Sequence, residues 1–109
     1  MNIIARDIAR LVYQEWLPQG GSWKEAVTAL KDQHEENIQI LLDHPEINPR
    51  EFHALVRSKR ELAGFSFGYG GPPAKRSPSM CPWNELDQEI SHYFHIAHKI
   101  TRALQKALS

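Results

Sequence analysis

Cysteine is scarce in this chain of 109 residues, with Cys81 as its single example. One cysteine excludes an intramolecular disulfide and a cysteine-rich zinc site, and it favours a reducing compartment. No apolar run approaches the roughly 20 residues that a membrane-spanning helix needs. Arg6, Asp7 and Arg10 interrupt the apolar N-terminal stretch, which argues against a signal peptide. We therefore expect a cytoplasmic location and no membrane partner.

The motifs of common catalytic sites are missing as well. The sequence contains neither a GxxxxGK(S/T) phosphate loop nor a GxGxxG that opens a helix. It offers no Ser/His/Asp or Cys/His arrangement, and no carboxylate pair in the apolar setting that separates two pKa values. Cys81, between Met80 and Pro82, is more typical of a small buried hydrophobic side chain than of a nucleophile. We therefore expect no catalysis and no cofactor.

The length suits one modest core, so we expect residues 1–109 to form a single domain. The net charge is zero, but residues 1–54 hold five Lys/Arg and nine Asp/Glu, whereas residues 55–109 hold eight and four. The basic residues between positions 57 and 76 are Arg57, Lys59, Arg60, Lys75 and Arg76. This number is too small for general nucleic-acid binding. It suits one small anion, or else an ordinary solvated basic surface.

Residues 64–83 differ from the rest of the chain, which has the pattern of amphipathic helices. Four glycines and four prolines in this stretch exclude a helix interior, while its spaced aromatics are unusual for a disordered linker. Phe65, Phe67 and Tyr69 alternate with small residues, which predicts a short strand. Its predicted partner is an edge strand within residues 79–83. We expect an ordered antiparallel hairpin that acts as a lid and carries the ligand contacts.

Amphipathic periodicity predicts about four helices around this stretch. The first covers residues 2–16. Ser22 and Glu25 fit a capping box that starts the second helix, which ends before Pro45. Trp23 in its first turn can pack into the core or line a pocket, and core packing is the favoured interpretation.

The third helix is predicted to begin at Asn48, the N-cap, with Pro49 at N1, and to end at Gly64 in the left-handed conformation. Asn84 is predicted to cap the last helix, with Asp87 at N3 and more than six turns to follow. The expected fold is therefore mainly α with a small two-stranded antiparallel β element, an α+β arrangement of about four helices.

Three histidines on the last helix raise the question of a metal site. His92, His95 and His98 lie three residues apart, so the third is rotated by about 120° from the first. One zinc ion shared by all three would be strained, although a histidine pair with an outside carboxylate remains an alternative. The favoured interpretation is three half-exposed side chains and no metal.

Two further histidines fall at different kinds of position. His34 lies on the apolar stripe of the second helix, among Leu30, Ile38 and Leu41. His53 follows a core position of the third helix, shortly before the basic residues. It is either an exposed or singly hydrogen-bonded histidine, or a polar contact in a pocket.

The order of several features is typical of one known family. They are Trp23, the stretch Pro45–Pro49, His53, Lys59, Gly64, Phe65, Gly68, Lys75, Arg76, Pro78, Pro82, Trp83 and Leu86. In this order and spacing they resemble the RyR domain, the repeat of ryanodine receptors that also occurs as single small proteins in bacteria and phages. The resemblance covers about residues 3–108. The chain departs from the family at Phe65, Ser77, Trp83 and Phe94, where Trp, His, Tyr and an acidic residue are usual.

The resemblance implies long antiparallel helices, a shorter helix and two antiparallel strands. It also implies a small anionic ligand, with adenine nucleotides as one candidate, and a homodimer, since receptor repeats occur in pairs. Phosphate would be held by Lys59, Arg60, Lys75 and Arg76. The base would stack on Phe65, Tyr69 or Trp83, and the remaining candidate contacts are Trp23 and His53. The alternative is a protein-interaction or structural domain whose interface is the same aromatic loop.

Overall fold

Four α-helices dominate the computed structural model, which describes residues 4–17, 22–70 and 74–108. Their bounds are Ala5–Trp16 (α1), Thr28–Asp43 (α2), Pro49–Leu62 (α3) and Gln88–Leu108 (α4). Two strands of two residues each, Ser66–Phe67 (β1) and Arg76–Ser77 (β2), lie between α3 and α4, and a 3₁₀ turn at Trp83–Glu85 precedes α4. A mainly helical fold with two short strands is therefore confirmed. None of the described helices is both long and apolar enough to cross a membrane.

The two strands run parallel, so the predicted antiparallel hairpin is wrong. Ser66 pairs with Arg76, and Phe67 pairs with Ser77. The predicted partner, residues 79–83, contains turns and the start of the 3₁₀ turn instead. Side chains alternate between two faces in either kind of strand pair, so the period-two pattern identified an extended segment without specifying its direction or its partner.

The core lies where α1 packs against α2 and α4, with α3 packed on α2 and α4. Its fully buried side chains are Ile8, Val12, Ile38, Leu41, Phe52, Val56, Phe94 and Thr101. The rings of Phe52 and Phe94 meet edge to face with centroids 5.2 Å apart, an arrangement that aromatic pairs favour. Leu62, the last residue of α3, is 92% exposed because the helix ends there, beyond the core.

The start of α3 follows local rules and matches its prediction. The Asn48 side chain accepts a hydrogen bond from the Glu51 amide at 2.8 Å, and the Glu51 carboxylate accepts one from the Asn48 amide at 3.0 Å. Pro49 occupies the first helical position. Gly64 follows the helix with a φ of 90°, the left-handed conformation that glycine adopts at low cost.

The starts of α1, α2 and α4 differ from their predictions. Helix α1 begins at Ala5, and residues 2 and 3 of its predicted range lie outside the described part. Helix α2 begins at Thr28, after a turn in which the Ala26 amide donates to the Ser22 carbonyl, so the predicted capping box is wrong. Trp23 is buried against Tyr13, with ring centroids 5.6 Å apart, and this packing overrides the local capping signal. Helix α4 begins at Gln88 because the 3₁₀ turn occupies the predicted start.

Thr101 provides a test of the core. Among the described residues, its hydroxyl is the only buried side-chain polar group without a hydrogen-bond partner. Thr101→Val removes that hydroxyl and keeps the shape, so the free energy of unfolding should rise by about 1 kcal/mol in urea titrations. Thr101→Ser, the control, keeps the hydroxyl and loses a methyl group, and should be less stable than the wild type. A Val variant that is less stable than the wild type would contradict this account.

Candidate functional site

A cluster of four buried polar side chains lies between α2, α3 and α4. It consists of His34 and Asn37 from α2, Arg60 from α3 and Tyr93 from α4, and each is exposed by 8% or less. Buried polar groups are costly unless they are hydrogen-bonded, and a buried charge is costlier still. Their partners therefore determine what this cluster can do.

Arg60 joins α3 to α2 through its guanidinium. Its Nη1 donates to the Glu36 carboxylate at 2.9 Å, and its Nη2 donates to the Gln33 carbonyl and to Asn37 Oδ1, each at 2.8 Å. Burial lowers the pKa of Arg60 below its usual value, and the Glu36 charge opposes that change. The side chain of Glu36 is 46% exposed, so the ion pair extends from the interior to the surface. Arg60, which was predicted to hold phosphate, is thus occupied by partners within the chain.

Tyr93 and His34 form the neutral part of the cluster. The Tyr93 hydroxyl accepts a hydrogen bond from Asn37 Nδ2 at 3.1 Å and lies 3.2 Å from His34 Nδ1. Burial lowers the pKa of His34 to about 4, with a further contribution from the Arg60 charge. Burial also raises the pKa of Tyr93 to about 12. Both side chains are therefore uncharged at pH 7.

A neutral His34 leaves one hydrogen-bond donor unused in either tautomer. If Nδ1 accepts from the Tyr93 hydroxyl, the Nε2–H of His34 has no partner among the described residues. If Nδ1–H donates to Tyr93, the hydroxyl proton of Tyr93 is the unused donor. His34 and Tyr93 both line one space in the interior, so the unused donor belongs to a residue of its wall.

That space is a cavity of about 130 Å³, enclosed by all four helices and by residues 76–79, here called the cover segment. Its polar lining comes from Gln33, His34, Asn37, Arg60, Arg76, Ser77 and Ser79. A water molecule takes about 30 Å³ in the liquid, and sites for drug-sized ligands span roughly 300–1,000 Å³. The cavity can therefore take one small chemical group, such as a ring or a short polar chain, but not a whole nucleotide.

Arg76 lies at the mouth of the cavity, because it lines the cavity and is also exposed to solvent. Its guanidinium makes no hydrogen bond or ion pair with any residue that the structure describes. Its side chain crosses Gly68, where an added Cβ would lie 2.9 Å from Arg76 Cδ. Lys75, the neighbouring cation, instead donates from Nζ to the Ala63 carbonyl at 2.9 Å. Arg76 is thus the cation that remains available to a ligand at this mouth.

His53 holds the cover segment in place through a hydrogen bond to its last residue, Ser79. Its Nε2 donates to the Ser79 carbonyl at 2.9 Å, and its ring is 2% exposed. Burial lowers the pKa of His53, so the ring is neutral at pH 7. The hydroxyls of Ser77 and Ser79 lie 2.7 Å apart, and their hydrogen bond keeps the cover segment tightly turned. His53 therefore reaches the cavity only through Ser79.

The other predicted contacts lie in different parts of the molecule. Trp23 is in the core, as the favoured interpretation had it. Lys59 and Phe65 line an open groove between α2 and α3. Tyr69 donates from its hydroxyl to the Asp87 carboxylate, and Trp83 packs on His53 with ring centroids 5.7 Å apart. Of the nine predicted residues, the cavity brings together Arg60 and Arg76.

Sequence reasoning missed His34, Asn37, Tyr93 and the two serines as members of one site. A signal was present at His34 and Asn37, because both are polar residues on the buried face of a predicted helix. Such residues need buried partners. Their partner Tyr93 lies 59 positions from His34 along the chain, and no local pattern connects positions so far apart.

Of the three histidines on α4, His95 and His98 are engaged in structural contacts, and His92 is exposed. No cluster of three or more His, Cys, Asp or Glu that could hold a metal ion occurs in residues 4–17, 22–70 and 74–108. The ring nitrogens of His95 and His98 donate to the carbonyls of Ser91 and Ile47 at 2.9 and 2.8 Å. Burial raises the pKa of the Cys81 thiol, which favours the protonated form over the nucleophilic thiolate.

Comparison of the chain with protein-family models, with curated proteins and with solved structures finds no match.

The buried neutral histidine predicts a dependence of stability on pH. His34 takes up a proton below about pH 6.5 in the unfolded chain but only near pH 4 in the folded one. The stability that the neutral His34 contributes to the folded state is thus fully present above pH 6.5, and it is lost as the pH falls toward 4. Between pH 7 and 4.5 the free energy of unfolding should fall by roughly 2 to 3 kcal/mol on this account. Urea titrations of the wild type and of His34→Gln measure the difference, since the other titrating groups are common to both proteins. Equal pH dependence in the two proteins would contradict the assignment.

Proposed function

We propose that the protein is a non-catalytic binding module for a small anionic ligand. Part of the ligand enters the cavity beneath the cover segment, and its anionic part binds Arg76 at the mouth. The observation that carries this proposal is the combination of an unused hydrogen-bond donor on His34 or Tyr93, both of which line the cavity, with a guanidinium at its mouth that has no partner among the described residues. Binding sites commonly join a concave, partly apolar wall to a few polar groups of this kind.

The charges divide the site into two parts. Inside, the Arg60 charge is offset by Glu36, while His34 and Tyr93 are neutral. This interior favours an uncharged group that accepts a hydrogen bond, such as a carbonyl oxygen or a ring nitrogen. Outside, Arg76 favours a phosphate or carboxylate, because hydrogen bonds between charged groups are the stronger ones.

Nucleotides and nucleotide-derived molecules have this division between a neutral ring and an anionic chain. The resemblance to the RyR domain favours an adenine nucleotide among them. In that arrangement the base enters the cavity and the phosphates remain at the mouth, because the cavity is too small for both. Lys75 plays no part, since its ammonium group binds the end of α3.

A second candidate function is protein interaction, and one observation favours it. Phe67 and Tyr69 are 54% and 59% exposed, and their rings meet with centroids 5.8 Å apart. Exposed apolar side chains that lie together often mark an interface. A second copy of the chain is one partner that would cover them.

Thermal denaturation with a panel of ligands tests the first function. The panel contains ATP, ADP, ADP-ribose, cyclic mono- and dinucleotides, NAD and inorganic phosphate. A ligand that binds only the folded protein at a hundredfold excess over its Kd stabilises it by about 2.7 kcal/mol. We expect such a shift with at least one nucleotide and none with phosphate alone, because the cavity contributes to binding.

Two matched variants test whether Arg76 binds the ligand at the mouth of the cavity. Arg76→Ala should weaken the binding of that nucleotide about tenfold in calorimetric titrations, since it removes a charged hydrogen bond. Lys75→Ala removes the same charge one residue earlier and should bind as the wild type does. Equal losses in the two variants would show that only general positive charge matters, and the assignment of Arg76 would be wrong.

The interaction alternative has its own test. If the panel gives no shift, Phe67→Ser with Tyr69→Ser should reduce self-association in sedimentation velocity experiments, because the two exposed rings are removed. A wild type that stays monomeric at all concentrations would exclude the second copy as the partner.

A further inference from the structure

A second concavity, separate from the cavity, runs along the outer face of α3. It encloses about 480 Å³, and its other wall is formed by Pro82 and Trp83. The residues that α3 contributes are Arg50, His53, Ala54, Arg57, Ser58 and Glu61. At 1.5 Å per residue, about 16 Å of helix separate the first of these from the last. The groove is therefore elongated and open to solvent.

The charges along this groove are mostly positive. Arg50 and Arg57 lie seven residues apart, which places them on one face of α3 with about 10 Å between them. Neither guanidinium makes a hydrogen bond or an ion pair with a residue in the described ranges. His53 adds no charge, because burial lowers its pKa and the Arg57 charge acts in the same direction. The only carboxylate that lines the groove is Glu61, at the end beyond Arg57.

One wall of the groove is apolar, and small side chains line the surface of α3 inside it. Trp83 is half-buried, with its ring supported by His53 at 5.7 Å and by His95 at 5.4 Å between centroids. Contacts with these two histidines therefore hold the Trp83 ring in place, while part of the ring lines the groove. Ala54 and Ser58 are small, so a chain in the groove can approach the backbone of α3 closely.

We propose that this groove binds an acidic, proline-containing segment of a partner protein in the polyproline II conformation. That helix has three residues per turn and rises about 3.1 Å per residue, so side chains three apart point the same way, about 9 Å from each other. Two carboxylates at this spacing match Arg50 and Arg57. The prolines between them pack on Trp83, since grooves lined by aromatic side chains recognise polyproline II segments.

Fluorescence polarisation with labelled peptides tests this inference. The probe is EPPEPP, with EEPPPP as a control of equal charge but different spacing and QPPQPP as an uncharged control. We expect EPPEPP to bind at low salt and to bind less tightly as sodium chloride screens the charges. The other two peptides should bind about tenfold more weakly or not at all.

Protein variants locate the site. Arg50→Gln with Arg57→Gln should weaken the binding of EPPEPP about tenfold, because both carboxylates lose their partners. Arg10→Gln with Lys99→Gln removes the same charge from exposed positions of α1 and α4 and should leave binding unchanged. Arg76→Ala should also leave it unchanged, which separates this groove from the cavity. Circular dichroism confirms that each variant keeps its helices.

The proposal would be overturned if EPPEPP did not bind, if EEPPPP bound equally well, or if the double arginine variant bound like the wild type. A single-stranded oligonucleotide that binds through Arg50 and Arg57 more tightly than EPPEPP would also overturn it, by identifying a nucleic acid as the occupant.

Discussion

The three hydrogen bonds that Arg60 donates to α2 are the interaction on which the polar centre of this protein depends. A buried guanidinium is stabilised only where acceptors surround it, and Glu36, Gln33 and Asn37 provide them. These bonds hold α3 against α2. The Phe65 amide then donates to the Arg60 carbonyl at 2.9 Å, so the chain enters β1 from a defined position. The pairing of β1 with β2 then connects this end of α3 to the cover segment.

Helix α3 thereby separates two chemical environments. Its inner face carries Val56 and Arg60 toward a cavity with a nearly neutral interior. Its outer face carries Arg50 and Arg57 along a groove with unpaired positive charge. His53 lies between the two, because it lines the groove and also donates to Ser79 of the cover segment. One helix of 14 residues can serve two sites because its 3.6-residue period directs neighbouring side chains to different faces.

Local rules predicted much of this fold and failed where distant contacts intervene. The apolar periodicity predicted the four helices, and the capping box of Asn48 predicted where α3 begins, because both depend on residues within about four positions of each other. The start of α2 was wrong because the burial of Trp23 against Tyr13 replaced the first turn of the predicted helix by an irregular turn. The basic and aromatic residues between positions 57 and 83 were predicted to meet at one site, yet they are divided between the cavity and two grooves, and Tyr69 and Lys75 make contacts outside all three.

Local patterns in the sequence established the amphipathic helices, the break in α-helix between residues 64 and 83, and a histidine on the buried face of α2. Contacts between distant segments established that the strands are parallel, that Arg60 is internal, and that Arg76 rather than Lys75 is available to a ligand. The physical reason is the reach of the interactions. Periodicity and capping connect residues within a turn or two, whereas Arg60 meets α2 from 23 to 27 positions away and His34 meets Tyr93 from 59.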